Sequence, residues 1–115
     1  MKFDPKNYHH SLPPDFSIRW SKLSLMEQLG NVGSEVERAL NWQKKGNKEQ
    51  SLRAGERMLE LLDFTIADER WRYRLKEITR TREVLCDYFW GDNDYHTSAE
   101  FLHKYFLYFG IAARM

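Results

Sequence analysis

Residues 24–66, SLMEQLGNVGSEVERALNWQKKGNKEQSLRAGERMLELLDFTI, contain two consecutive helical patterns joined by a short turn. Apolar side chains recur three and four positions apart in both halves, which is the spacing of one face of an α-helix. Two lysines and a glycine at positions 44–46 form a helix stop between them. A turn this short predicts two antiparallel helices. The apolar stripe of the first helix consists of Leu25, Leu29, Val32, Val36, Ala39 and Leu40. The stripe of the second helix consists of Leu52, Gly55, Leu59, Leu62 and Ile66.

Capping residues divide the chain into four predicted helices. Ser24 and Thr97 each begin an S/T-x-x-E capping box, in which the hydroxyl and the later carboxylate satisfy early backbone amides. Asn47 opens the second helix, and Asp68 caps a third over residues 69–90. No run of Val, Ile and Thr with period two competes with these patterns. We therefore predict an all-α fold, an antiparallel up-down four-helix bundle.

The region before Ser24 lacks helical periodicity and contains all three prolines of the chain. It also carries scattered aromatic residues, which a fully disordered tail would hold in smaller number. We predict an N-terminal extended arm over residues 1–23, packed on a bundle domain over residues 24–115. A short helical turn after Pro14 is compatible with this arm.

The composition limits the class of protein. A chain of 115 residues with 42% hydrophobic residues suits one domain with a real core. The single cysteine excludes an intrachain disulfide and favours a cytoplasmic location. No run of about 18 apolar residues indicates a membrane span, and the first ten residues lack the apolar core of a signal peptide. A net charge of +1 does not by itself favour nucleic acid.

The fourth predicted helix is apolar on more than one face. One stripe, Leu102, Phe106, Phe109 and Ala113, is sufficient for a bundle core. A second stripe consists of Phe101, Tyr105, Tyr108 and Ala112. Either the N-terminal arm covers this second stripe, or it forms the interface of a homodimer, which tyrosine-rich surfaces suit. The sequence thus predicts a non-enzymatic interaction or assembly module, with no catalytic residue and no cofactor.

The third predicted helix carries a dense run of positive charge. Six cations and one acid lie between Arg70 and Arg82. Arg72, Lys76 and Arg80 follow i, i+4 spacing, so that like charges are neighbours on one face. If this face meets solvent, it suits phosphate, and the helix over residues 69–90 becomes a nucleic-acid-binding element. Nucleic acid is therefore a possible partner, although it is not the favoured one.

The alternative is that acids of the second helix neutralise the basic run. Glu60 and Asp63 lie on one flank of the second helix, and an antiparallel hairpin places them near Arg70 and Arg74. Arg82 stands where the apolar stripe of its helix expects an apolar side chain. A buried arginine needs a partner, and the candidate partners are Glu35, Glu37 and Asp63. An arginine can instead extend its head to water while its stem packs.

The acids Glu56, Glu60 and Asp63 are also the candidate metal ligands of the chain. Glu60-x-x-Asp63 resembles half of the carboxylate signature of MazG-type nucleotide pyrophosphohydrolases. That resemblance implies an all-helical fold and a magnesium-dependent hydrolysis of nucleotides. It covers only these residues, because the E-x-x-E pair of the preceding helix is missing. A second metal pattern, Glu100-x-x-His103, matches a half-motif of di-metal bundles.

The first predicted helix contains Gly30 and Gly33 on one side. Glycine inside a helix costs about 0.5–1 kcal/mol relative to alanine, so two glycines this close need a reason. We expect them to allow the close approach of another backbone. Gly55 on the second helix is the candidate counterpart.

Overall fold

The computed structural model describes residues 13–115, and this part of the chain is helical without any β-strand. The predicted all-α class is confirmed. No helix in residues 13–115 is long and apolar enough to cross a membrane. The elements are α1 (Phe16–Trp20), α2 (Leu25–Lys44), α3 (Lys48–Ala67), a 3₁₀ helix (Glu69–Arg74), α4 (Leu75–Trp90) and α5 (Ala99–Ala112).

The hairpin of α2 and α3 begins and turns as its sequence predicts. Ser24 Oγ accepts from the Glu27 amide at 3.1 Å, while the Glu27 carboxylate accepts from the Ser24 amide at 3.0 Å. Gly46 ends the connection with a φ of +79°, a left-handed conformation that glycine adopts without steric cost. The Asn47 side chain then accepts from the Gln50 amide at 3.0 Å and caps α3.

The four long helices pack as antiparallel neighbours. Close packing joins α2 to α3, α3 to α4, and α2 to α5, so α5 lies against the first long helix rather than the one before it. A groove separates α4 from α5 on the remaining side. The contacts that set these directions are Ser51 with Ala39, Asp63 with Arg82, Gly55 with Trp90, Gly30 with Gly110, and Glu37 with His103.

The core is built from the predicted apolar stripes. Each long helix contributes to one cluster of buried side chains, and burial of this apolar area is the main force that holds the bundle together. Leu52 and Ile66, which belong to the predicted stripe of α3, are only half-buried at its margin. The largest fully buried apolar side chains are Val32, Val36, Met58, Leu59, Leu62, Ile78, Leu85 and Leu102.

The third predicted helix is interrupted at its start. A 3₁₀ helix occupies Glu69–Arg74, and Trp71 has non-helical angles of φ −102° and ψ 17°. Side-chain anchors explain the distortion, because the Trp71 ring nitrogen donates to Gln28 Oε1 at 3.0 Å. Arg70 is held by two carboxylate oxygens of Asp68 and by the carbonyl of Leu23. The α-helical part of the basic element therefore begins only at position 75.

The N-terminus of α5 differs from the prediction by one residue. Ser98, not Thr97, is the cap, and its hydroxyl accepts from the Phe101 amide at 3.0 Å. The Thr97 amide is already used, because it donates to Asn93 Oδ1 at 2.9 Å. Asn93 and His96 both have positive φ values, which tighten the preceding loop and move the helix start onward.

The predicted extended arm contains a helix in the part that the structure describes. Positions 1–12 lie outside the described residues, while α1 forms directly after Pro14 and Asp15. Trp20 is buried, and its indole nitrogen donates to Thr65 Oγ1 at 3.2 Å. The fully buried Gln28 amide donates to the Trp20 carbonyl at 2.9 Å. This segment is thus fixed to both α2 and α3.

Close approach explains the glycines of α2, but the partner is α5. A Cβ built on Gly30 would lie 3.5 Å from Gly110 Cα, and one built on Gly33 would lie 2.8 Å from Phe106 Cβ. Gly55, the expected counterpart, instead faces the Trp90 ring of α4. That expectation was wrong because Gly55 lies on the side of α3 that meets α4.

Candidate functional site

The outer face of α5 carries an exposed row of large apolar side chains. Phe101 is 57% exposed and Tyr108 is 64% exposed, while Leu107 and Ile111 are each about half exposed. On the opposite side of the same helix, the predicted core residues Leu102, Phe106 and Phe109 are buried and Ala113 is half-buried. The described bundle leaves the apolar area of this row exposed to solvent. Exposed apolar patches of this kind are typical of binding surfaces.

The predicted interface stripe is only partly covered within the chain. Tyr105 and Ala112 are half-buried, in contrast to Phe101 and Tyr108. The Phe101 and Tyr105 rings stack with their centroids 6.2 Å apart. The four residues thus form a strip that runs from the exposed outer face of α5 towards its neighbour α4.

A mainly apolar groove of about 240 Å³ lies between α4 and α5. Tyr105 Oη lies 3.1 Å from Thr81 Oγ1 and donates to Glu77 Oε1 at 3.3 Å. Burial raises the pKa of the Tyr105 phenol, so this hydroxyl keeps its proton at neutral pH. The groove is continuous with the outer face of α5 through the ring of Phe101, which belongs to both. Its lining residues are Glu77, Arg80, Thr81, Val84, Phe101, Leu102, Tyr105 and Phe106.

The polar residues of α5 form pairs along the edges of this helix. Lys104 Nζ lies 3.1 Å from the exposed carboxylate of Glu100. His103 pairs with Glu37 of α2. The two residues of the Glu100-x-x-His103 half-motif therefore have different partners, and the geometry gives no support to a metal site there.

The predicted phosphate-binding cations lie on the surface. Arg72 is 79% exposed and lies 3.9 Å from Glu69, which is even more exposed. Arg80 lies 3.5 Å from Glu83, again with both side chains in solvent. Lys76 is exposed as well. Exposed pairs of this kind contribute about 0–1 kcal/mol, so they hold these cations weakly.

Other cations of the basic run are occupied by carboxylates of their own segment. Arg70 binds Asp68, and Arg74 binds Glu77 at 2.8 Å. The expected pairing of these arginines with Glu60 and Asp63 was wrong. The 3₁₀ turn places each guanidinium next to an acid two or three residues away, and such local pairs form without any contribution from α3.

Arg82 reaches α3 and contacts one of its three candidate partners. Its Nε lies 2.8 Å from Asp63 Oδ1, with 23% of the arginine side chain exposed. The same guanidinium lies 3.7 Å from Cys86 Sγ. Burial raises the pKa of the Cys86 thiol, although the nearby Arg82 charge opposes this shift. Cys86 is thus a protonated thiol in the seam between α3 and α4.

The three carboxylates proposed as metal ligands lie in different environments. Glu60 is buried, Glu56 is half-buried, and Asp63 binds the guanidinium of Arg82. In residues 13–115, no group of three or more His, Cys, Asp or Glu side chains is arranged to hold a metal ion. The resemblance to the MazG-type signature therefore gains no support from the described geometry.

Sequence reasoning missed a polar groove of about 230 Å³ between α2 and α3. It contains Arg38, Arg53 and Arg57 together with Trp42. A signal for it was present, because charged residues of the two helices recur at helical spacing beside the apolar stripe. The basic run after Asp68 has a higher density of positive charge, so this second cluster is less conspicuous in the sequence.

Comparisons with other proteins add no family to this description. No protein-family model, curated protein or solved structure matches the chain.

Proposed function

We propose that the protein is a non-enzymatic assembly module that forms a homodimer through the outer face of α5. The observation that carries this proposal is the row of large apolar side chains, Phe101, Leu107, Tyr108 and Ile111, left half or more exposed. Covering such a row removes apolar area from water, which is the main force in most protein association. The single cysteine supports a cytoplasmic location for the module.

A second copy suits this face because the residues of α5 are self-complementary in an antiparallel arrangement. A two-fold axis at Tyr108 places Tyr105 opposite Ile111 of the partner and Phe101 opposite the partner's Met115. The same axis places Lys104 near Ala112 of the partner, at the C-terminal end of its helix. A cation is favourable there because the last carbonyls carry partial negative charge.

The expected result for wild-type protein is a dimer in multi-angle light scattering, and Tyr108→Asp should weaken it. A carboxylate at the centre of an apolar interface loses its water, so we expect the dissociation constant to rise at least about 30-fold. Tyr73→Asp is the matched control, since Tyr73 is 77% exposed on the 3₁₀ helix, away from α5. A wild-type monomer at about 100 μM would overturn the proposal.

The second candidate function is binding of single-stranded nucleic acid. Its supporting observation is the exposure of Arg72, Lys76 and Arg80, whose described carboxylate contacts are weak surface pairs. Tyr73 is exposed beside them and can stack on a base.

For this candidate, we expect a random oligonucleotide to bind at about 50 mM salt and to dissociate steeply as salt rises. Arg72→Gln combined with Arg80→Gln should reduce the affinity about tenfold. It should also reduce the slope of log affinity against log salt concentration by about two, since two phosphate contacts are lost. Fluorescence anisotropy measures both quantities. The control is Lys44→Gln with Lys48→Gln, two exposed cations at the turn between α2 and α3 and away from the basic run, which should retain wild-type binding. An equal loss in both double variants would contradict the assignment.

A further inference from the structure

The groove between α2 and α3 brings three arginines and a tryptophan together. From α2 it is lined by Glu35, Arg38 and Trp42, which are three and four positions apart and share one face. The residues from α3 have the same spacing. These are Gln50, Arg53, Ala54 and Arg57.

The register of the hairpin orders these residues along the groove. Ser51 Oγ donates to the Ala39 carbonyl at 2.8 Å, which sets α3 against α2 in antiparallel direction. Trp42 therefore lies at the end of the groove nearest the turn, together with Gln50. Arg38 and Arg53 come from opposite walls in the middle, and Glu35 and Arg57 lie farthest from the turn.

The arginines in the middle of the groove are available to an anion. Arg53 Nη2 lies 2.9 Å from Glu49, but 66% of the arginine side chain and 74% of the carboxylate side chain are exposed. Arg38 Nη1 lies 3.3 Å from Glu35, whose side chain is only 16% exposed, while 63% of the arginine side chain is exposed. The pair of Arg53 with Glu49 is exposed on both sides, so it is weak and screened by salt, and Arg38 has further N–H donors besides those on the nitrogen that meets Glu35. A phosphate group accepts two parallel hydrogen bonds from each guanidinium, and its negative charge offsets the positive charge of the arginines on both walls.

Trp42 adds a flat apolar surface next to these cations. Its ring is half-buried and lines the groove, and Lys45 Nζ lies 5.1 Å from its centroid. Nucleobases stack on aromatic rings of this kind, and the contribution does not depend strongly on the base. A ligand with an aromatic ring at one end and negative charge at the other matches the order of Trp42, Arg38 and Arg53.

We propose that this groove binds a nucleoside diphosphate or triphosphate. Arg38 and Arg53 hold the phosphate groups, Trp42 stacks on the base, and Arg57 adds positive charge farther along the groove. The row of cations is short, and Glu35 lies at its far end. Because Glu35 lies beside Arg38 and at the same end as Arg57, the groove has little excess positive charge there for a continuing phosphate backbone, so the site favours a free nucleotide over a strand of nucleic acid.

Isothermal titration of the full chain tests this site with ADP, pyrophosphate and adenosine as separate probes. We expect ADP to bind with a dissociation constant of about 10–500 μM, pyrophosphate to bind more weakly, and adenosine to bind weakest. Arg38→Gln with Arg53→Gln should weaken ADP and pyrophosphate at least about tenfold. Trp42→Leu should weaken ADP about tenfold and leave pyrophosphate unchanged. Arg19→Gln with Lys22→Gln is the matched control, because both side chains are exposed and neither lines the groove, and it should leave both ligands unchanged.

Several results would overturn the proposal. These are absence of heat with ADP at about 5 mM, equal losses in the Arg38/Arg53 double variant and in its control, or an unchanged ADP affinity in Trp42→Leu. Binding of a single-stranded oligonucleotide without binding of ADP would assign the groove to nucleic acid instead. Far-ultraviolet circular dichroism establishes that each variant retains its helices, so that a loss of binding reports on the groove.

Discussion

Replacement of Gln28 by methionine should lower the free energy of unfolding by about 2–3 kcal/mol, although the two side chains have similar volumes. Gln28 is fully buried and its amide joins three parts of the molecule. It donates to the Trp20 carbonyl at 2.9 Å and to Asp68 at 3.3 Å, and it accepts from the Trp71 indole at 3.0 Å. Methionine fills the space but leaves these groups without their partner. Denaturation in urea, followed by circular dichroism, measures the difference.

The matched control for this substitution is Asn31→Ala on the same helix. Asn31 is exposed, and its amide donates to the Glu27 carbonyl within one turn of α2. We expect this variant to change the free energy of unfolding by less than about 0.5 kcal/mol. If Gln28→Met were equally harmless, the buried amide would not be holding α1 and the 3₁₀ helix on α2.

Replacement of Gly33 by leucine should destabilise the protein by about 2–3 kcal/mol, or about 10 °C in the melting temperature. A Cβ at this position would lie 2.8 Å from Phe106 Cβ, an atom fixed directly to the backbone of α5. The clash cannot be relieved by rotating the end of a side chain, so α2 and α5 must move apart. That movement exposes apolar area along the seam between them. Thermal unfolding measured by differential scanning calorimetry gives the shift.

Gly30→Ala provides a control with the opposite expected sign. A Cβ there would lie 3.5 Å from Gly110 Cα, which is ordinary van der Waals contact. Alanine also favours the helix over glycine by about 1 kcal/mol. We therefore expect Gly30→Ala to be neutral or to stabilise the protein by up to about 1 kcal/mol. Destabilisation by both variants would mean that the seam between α2 and α5 is tighter than the structure indicates.

Much of this fold follows from local sequence patterns. The Ser24 capping box, the Asn47 cap and the glycine at position 46 depend on neighbours within a few residues, and all three were predicted correctly. The apolar stripes of α2 and α3 were also predicted, because their spacing is likewise a pattern of residues close together in the sequence. The observed start of α5 lies one residue after the predicted start, because the Thr97 amide donates to Asn93 in the loop. A capping pattern in the sequence does not reveal such a contact.

The remaining features depend on contacts between distant parts of the chain. The 3₁₀ helix forms where Trp71 reaches Gln28, 43 residues earlier in the sequence. Spacing in a single sequence does not show which glycine meets which helix, so Gly110 was missed as the counterpart of Gly30. The second apolar stripe of α5 was recognised from its residues, but the sequence does not identify what covers it. The arginine groove is formed by two helices, and the spacing of charged residues within each helix does not show that the two sets face each other.

The contact between Gly33 and Phe106 also constrains how this chain can evolve. The two positions are 73 residues apart, and a Cβ at position 33 would lie 2.8 Å from Phe106 Cβ, so a side chain at position 33 requires a smaller residue at position 106 or a wider spacing of α2 and α5. Descendants of this sequence should therefore change the two sites in a correlated manner. Such coupled substitution would allow distant kin to be recognised after the remaining surface has diverged.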